Sequence, residues 1–234
     1  IYTLIFCKEF VPRRDDIKWN GKIFAQICHL SVMTCIQQSV MNLGILLVQR
    51  LVDSFGAVTM AAFAAAVKID SFAYLPVQDF GNAFSTFTAQ NYGAGQSSRI
   101  KEALKKATIL SAAFSSAAAA AVFIFAEPLM RIFVSASETE VIAAGVRYLH
   151  IEGVFYAGIG CLFLLYGFYR AVEKPGMSVV LTVISLGTRV LLAYLLAGII
   201  GETGIWISVP VGWLLADITG YGYCILKRKR LFSD

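Results

Sequence analysis

Between Ala64 and Asn91 the sequence AAAVKIDSFAYLPVQDFGNAFSTFTAQN sets Lys68, Asp70 and Asp79 inside a run otherwise apolar enough for lipid. The chemistry open to such residues is ion pairing and cation coordination. At about 100° per residue, Lys68, Ser71, Gln78, Asn82 and Ser85 share one helix face, while Phe80, Phe84 and Phe87 lie opposite. A charge at bilayer depth costs about 2.5–3.5 kcal/mol on insertion scales, so it turns toward protein or a water-filled cavity. The stretch therefore reads as one wall of a polar pathway. The alternative is that its hydroxyls and amides only glue packed helices together. Pro76 frees the carbonyl of Phe72, which reads as a kink, with a cation ligand as the alternative.

The elements that position these residues must be membrane spans. Of 234 residues, 58% are hydrophobic and 15% charged, and the mean hydropathy is +0.70. The uncharged run from Ile23 to Gln49 outlasts any ordinary strand. The fold class is an all-α membrane protein, a six-transmembrane-helix bundle. Its spans are expected at Ile23–Gln49, at the stretch above, at Ala107–Ala126 (ended by Glu127 and Pro128), from Glu138 to about Tyr169, at Met177–Ile200 and at Ile205–Leu226. Ser31, Gln38, Asn42 and Gln49 make a second polar stripe on the first of these. Gly93 and Gly95 stop the second span, with Ser97 or Ser98 available to cap the third. Ser137 and Glu140 have the spacing of a capping box. Arg189 interrupts the fifth span, and Asp217 and Pro210 the sixth.

Around this lobe, residues 23–226, the reading expects three flanking pieces: residues 1–7 as the tail of a preceding span, 8–22 as a basic cytoplasmic linker and 227–234 as a basic cytoplasmic tail. The opening IYTLIFC suggests a fragment whose amino-terminal part lies elsewhere. Counted on alternate sides of six spans, fifteen basic residues fall on one side and three on the other, with Lys68 and Arg189 inside. That bias places the richer side, and the carboxy terminus, in the cytoplasm of a cell membrane. The net charge of +5 follows from this topology and does not argue for nucleic acid. Five cysteines without CxxC spacing suit packing, not metal. Two histidines in different spans, without HExxH, a Ser–His–Asp set or a P-loop, give no basis for an enzyme.

Gln90-Asn91-Tyr92-Gly93-Ala94-Gly95-Gln96, followed by Arg99, resembles the multidrug and toxic compound extrusion (MATE) transporters. The likeness extends to Ala61-Ala62-Phe63, Lys68-Ile69-Asp70, Pro76, Pro128-Leu129, Ile132-Phe133, Tyr148-Leu149 and the Arg170–Pro175 turn. It implies the carboxy-terminal lobe, helices seven to twelve, of a twelve-helix transporter. It further implies export of small lipophilic cations, by alternating access, in exchange for H+ or Na+, with no cofactor. The lipid bilayer and a missing six-helix lobe would be the partners. Gln37, Gln38 and Asn42 stand on helix seven where one branch of the family carries an acid, and Glu152 on helix ten is expected nearer the outer end. Coupling is accordingly expected from the missing half, with Asp70 in support, paired to Lys68 or Arg189. Tyr74 and Phe72 would offer aromatic surface to a cation. A lipid-linked sugar flippase of similar architecture is the alternative.

Overall fold

The computed structural model describes residues 19–227 and 231; the expected tail of a preceding span, most of the basic linker and most of the carboxy-terminal tail lie outside them. The described chain forms α1 (Gly21–Asp53), α2 (Ala57–Gly93), α3 (Ser97–Phe133), α4 (Thr139–Gly153), α5 (Tyr156–Ala171), α6 (Pro175–Ile200) and α7 (Glu202–Leu226). Five are long and apolar enough to cross a membrane, and α4 with α5 makes a sixth span bent by 55°. This is the six-span bundle. At 1.5 Å per residue, the 37 residues of α2 and of α3 reach about 55 Å, well beyond a hydrocarbon core of about 30 Å.

Several boundaries differ from the sequence reading for local reasons. Asn20 caps α1, its Oδ1 accepting from the amides of Lys22 and Ile23 at 3.0 and 3.3 Å. Neither Ser97 nor Ser98 caps α3. The α2–α3 turn instead closes on backbone alone: Gln96 N donates to Asn91 O at 2.8 Å and Gly95 N to Tyr92 O at 3.1 Å. Gly95 supplies the required φ of +68°. The capping box does not form either, since Ser137 Oγ bonds Ser135 Oγ at 3.0 Å and Glu138 takes the N-cap position without a side-chain bond. Glu127 and Pro128 bend α3 without ending it. Pro128 withholds a donor from Ile124, the helix distorts at Phe125 (φ −103°, ψ 15°), and an Arg131–Glu127 ion pair of 2.7 Å spans the turn beyond.

The bundle has two apolar cores. At the end where α2 begins, Phe63 stacks on Trp206 with centroids 5.5 Å apart, and Tyr148 meets both rings edge-on at 5.6 and 4.9 Å. These offset and edge-to-face geometries are the favoured ones for aromatic pairs. The triad joins α2, α4 and α7 and fixes the direction of Tyr148. At the other end Phe84, Ile100, Leu104, Leu165 and Phe168 pack together. Between the two cores α2 and α5 come into backbone contact. A Cβ on Gly81 would lie 2.9 Å from Phe163 O, and one on Gly167 would lie 2.5 Å from Gly81 O. Small residues at such crossings let helices approach closely where lipid supplies no hydrophobic drive.

Gly167→Val is therefore expected to lower stability by about 1–3 kcal/mol through overpacking at this crossing. Gly187→Ala, where a Cβ meets open space, should leave stability unchanged or slightly raised. Thermal unfolding of the purified variants in detergent checks both.

Candidate functional site

Asp70 sits midway along α2 and is only 3% exposed. Its carboxylate accepts two tyrosine hydroxyls, Tyr148 on Oδ2 at 2.6 Å and Tyr156 on Oδ1. Tyr148 belongs to α4 and Tyr156 opens α5, so the break at Val154 and Phe155 brings one hydroxyl from each side. Phe155 N donates to Glu152 O at 2.9 Å within the break itself. A regular helix would carry residues 148 and 156 on past the carboxylate along one stripe. The 55° bend folds the second hydroxyl back onto it.

One turn beyond Tyr148 lies Glu152, also 3% exposed, and its Oε1 has no hydrogen-bond partner. A buried polar atom left this way is uncommon and costly. Glu152 and Asp70 line one cavity of about 360 Å³, and Arg189 enters it from α6 with its Nε buried and unpartnered. Tyr74 and Gln78, one and two turns past Asp70 on the same face of α2, continue the wall, while Phe163 and Trp213 give it apolar surface. Gln78 also borders a smaller cavity of about 50 Å³ shared with Gln37, Gln38, Asn82 and Arg170. There Arg170 Nη2 donates to Asn82 Oδ1 at 3.2 Å. The two cavities share Met41, Gln78, Phe163 and Tyr166, making one polar track along the α2 face.

Seven of the ten residues picked from the sequence meet on this track: Asp70, Tyr74, Gln78 and Arg189 in the larger cavity, and Gln37, Gln38 and Asn82 with Gln78 in the smaller. Three do not. Lys68 is about 200° around α2 from Asp70, so it points away and sets its Nζ 5.8 Å from the Phe133 ring. It lines a separate groove with Glu138. Asp79 and Asn42 are exposed and border none of these cavities. The pairing of Asp70 with Lys68 or Arg189 is likewise replaced. Among the described residues Asp70 has no ion pair, and the two tyrosines satisfy it instead. Phe72, offered as cation surface, is 78% exposed on the far side of α2.

Sequence reasoning missed the three residues nearest Asp70. Tyr148, Glu152 and Tyr156 were legible in part, because Tyr148 and Glu152 are four apart on one helix face. Glu152 lines the same cavity as Asp70, one turn from Tyr148 on α4.

The arrangement can hold a cation against two carboxylates, between aromatic walls, with a guanidinium beside them. A sequence profile of MatE matches residues 30–195. The chain belongs to the MatE family. It is 27% identical over 228 residues, 96% of its length and 50% of the other's, to "Probable multidrug resistance protein YpnP" of Bacillus subtilis (strain 168). It is 24% identical to "Probable multidrug resistance protein NorM" of Thermotoga maritima, over 93% of this chain and 46% of that one. Among solved structures, "Crystal structure of MATE in complex with MaL6" superposes with a TM-score of 0.91 at 19% identity, covering 100% of this chain and 54% of that one. The chain spans about half the length of the curated relatives it matches. MATE proteins are membrane transporters, and this chain is a multi-pass membrane protein of that family.

Removing the Tyr148 hydroxyl leaves one carboxylate oxygen of Asp70 without its donor. Tyr148→Phe is expected to cost about 1.5–3 kcal/mol, the range for a hydrogen bond to a charged group. Chemical denaturation beside the wild-type protein measures it, and a loss below about 0.5 kcal/mol would mean that water replaces the hydroxyl freely.

Proposed function

We propose that this chain forms one lobe of a secondary active exporter of organic cations at the cytoplasmic membrane, driven by counterflow of protons or sodium ions. The observation that carries the reading is the pair of buried carboxylates, Asp70 and Glu152, facing one cavity with aromatic walls. Glu152 offers an unpartnered oxygen to whatever enters. A desolvated carboxylate holds a proton, a metal cation or an organic cation one at a time, which makes their occupancies exclusive. Exclusive occupancy at one site becomes exchange once the site opens alternately to the two sides of the membrane. Tyr74, Phe163 and Trp213 supply the π-faces that favour a lipophilic cation over water.

The opposing wall belongs to a second six-helix lobe, in keeping with a chain half the length of its relatives. The lobe's own carboxylates carry the coupling cation in this reading, which moves the coupling site from the missing half to Asp70 and Glu152. The basic-residue bias supports a cytoplasmic carboxy terminus. A lipid-linked sugar has less to support it. Lys68 lies off the track and Arg189 shares its cavity with two acids.

The full-length transporter in vesicles with an imposed pH or sodium gradient tests the proposal. Wild-type protein should move ethidium against its gradient in response to at least one of the two ions. Glu152→Gln should reduce the gradient-driven rate by roughly tenfold or more, the effect of losing about 1.4 kcal/mol or more of charge interaction. Export indifferent to both gradients would remove antiport.

A further inference from the structure

We propose that Arg189 sets the cavity at one net negative charge and thereby selects singly charged cations. This rests on the cation-exchange reading of the same cavity. Of the described residues lining it, Asp70, Glu152 and Arg189 alone are formally charged. Two carboxylates beside one guanidinium leave one charge to be neutralised. A proton, a sodium ion or a monovalent organic cation does so completely, whereas a dication overshoots and brings net positive charge into a water-poor bundle.

The remaining lining does not alter this balance. Gln49 from α1, Tyr74 and Gln78 from α2, Tyr148 from α4 and Tyr156 from α5 are polar and uncharged. From α7 comes the indole of Trp213. Arg189 is also the only charged residue in α6, between Pro175 and Ile200. It sits one turn from Ser185 on the face that lines the cavity.

An arginine kept to clamp helices would have its donors engaged by a neighbouring element. Here Nε is buried and unpartnered, and no ion pair within 4.0 Å includes Arg189 among the described residues. Asp70 is held by tyrosines instead. The guanidinium is thus placed to act through space, as a fixed charge on the wall, and its role is to position charge, not to bind helices. Occupancy follows directly: one cation enters as one proton or one sodium ion leaves.

Ethidium and propidium test this, since they share a phenanthridinium ring and propidium adds a second, quaternary ammonium charge. Fluorescence titration of the full-length transporter gives the ratio of their affinities. Wild type should favour ethidium. Arg189→Gln should shift the ratio toward propidium by roughly tenfold or more, and Arg189→Lys should retain the wild-type ratio. Gln78→Glu adds a carboxylate to the same wall and should shift the ratio in the same direction even where Arg189→Gln does not fold. A ratio unmoved by Gln78→Glu and by a folded Arg189→Gln overturns the role of Arg189. Ethidium affinity equal in wild type and Glu152→Gln would instead overturn the cation-site reading beneath it.

Discussion

Asp70 can sit inside an apolar bundle because two tyrosine hydroxyls donate to it, and those hydroxyls come from opposite sides of a broken helix. The break is thus part of the site. Tyr148 is aimed by its contacts with Phe63 and Trp206, which tie α4 to α2 and α7. Tyr156 is aimed by the bend at Val154 and Phe155. Were α4 and α5 one straight span, Asp70 would lose the Tyr156 donor. A charge that lipid does not tolerate is accommodated by local geometry, and that geometry leaves a second acid, Glu152, facing open space.

The same end of the bundle is closed by a polar clamp. Glu202, at the start of α7, accepts from Arg147 at 2.6 Å and from Thr59 at 2.7 Å. Arg147 precedes Tyr148, so the clamp and the buried hydroxyl act on one short helix. Gly201, with φ of +66°, lets α7 begin straight after α6 and puts Glu202 within reach. The spans expected at Met177–Ile200 and Ile205–Leu226 left room for a turn between them; the glycine at positive φ makes one residue enough. The consequence is that two successive residues of α4 are anchored, Arg147 by the clamp and Tyr148 by Asp70.

Six spans were readable because apolar runs, glycine stops and basic loops are written in single residues and in period. The face of α2 was only half readable. Asp70, Tyr74 and Gln78 recur every four residues and do share a wall, whereas Lys68, read onto one face with Gln78, stands two residues from Asp70 and lines another groove. Spacing of two puts side chains on nearly opposite sides, and the structure follows that rule. The broken span was legible only in part: Gly153, Gly158 and Gly160 flank the break and loosen the helix, but no proline marks the site. Its cause is tertiary, in the packing of Tyr148 and Tyr156 around a shared carboxylate. The serine caps at Ser97 and Ser137 did not form for local reasons: the α2–α3 turn closes on backbone bonds, and Ser137 Oγ engages Ser135 Oγ.

The central claim is that Asp70 and Glu152 face a cation-accepting cavity while Lys68, on the same helix as Asp70, faces elsewhere. Accessibility to a charged thiol reagent addresses it most directly, in full-length protein whose native cysteines have been replaced. A Gln78→Cys variant, on the same cavity wall as Asp70, should react with the reagent and be protected by ethidium. A Lys68→Cys variant should show no protection. Gln78→Cys inert to the reagent, or equal protection at both positions, would contradict the account.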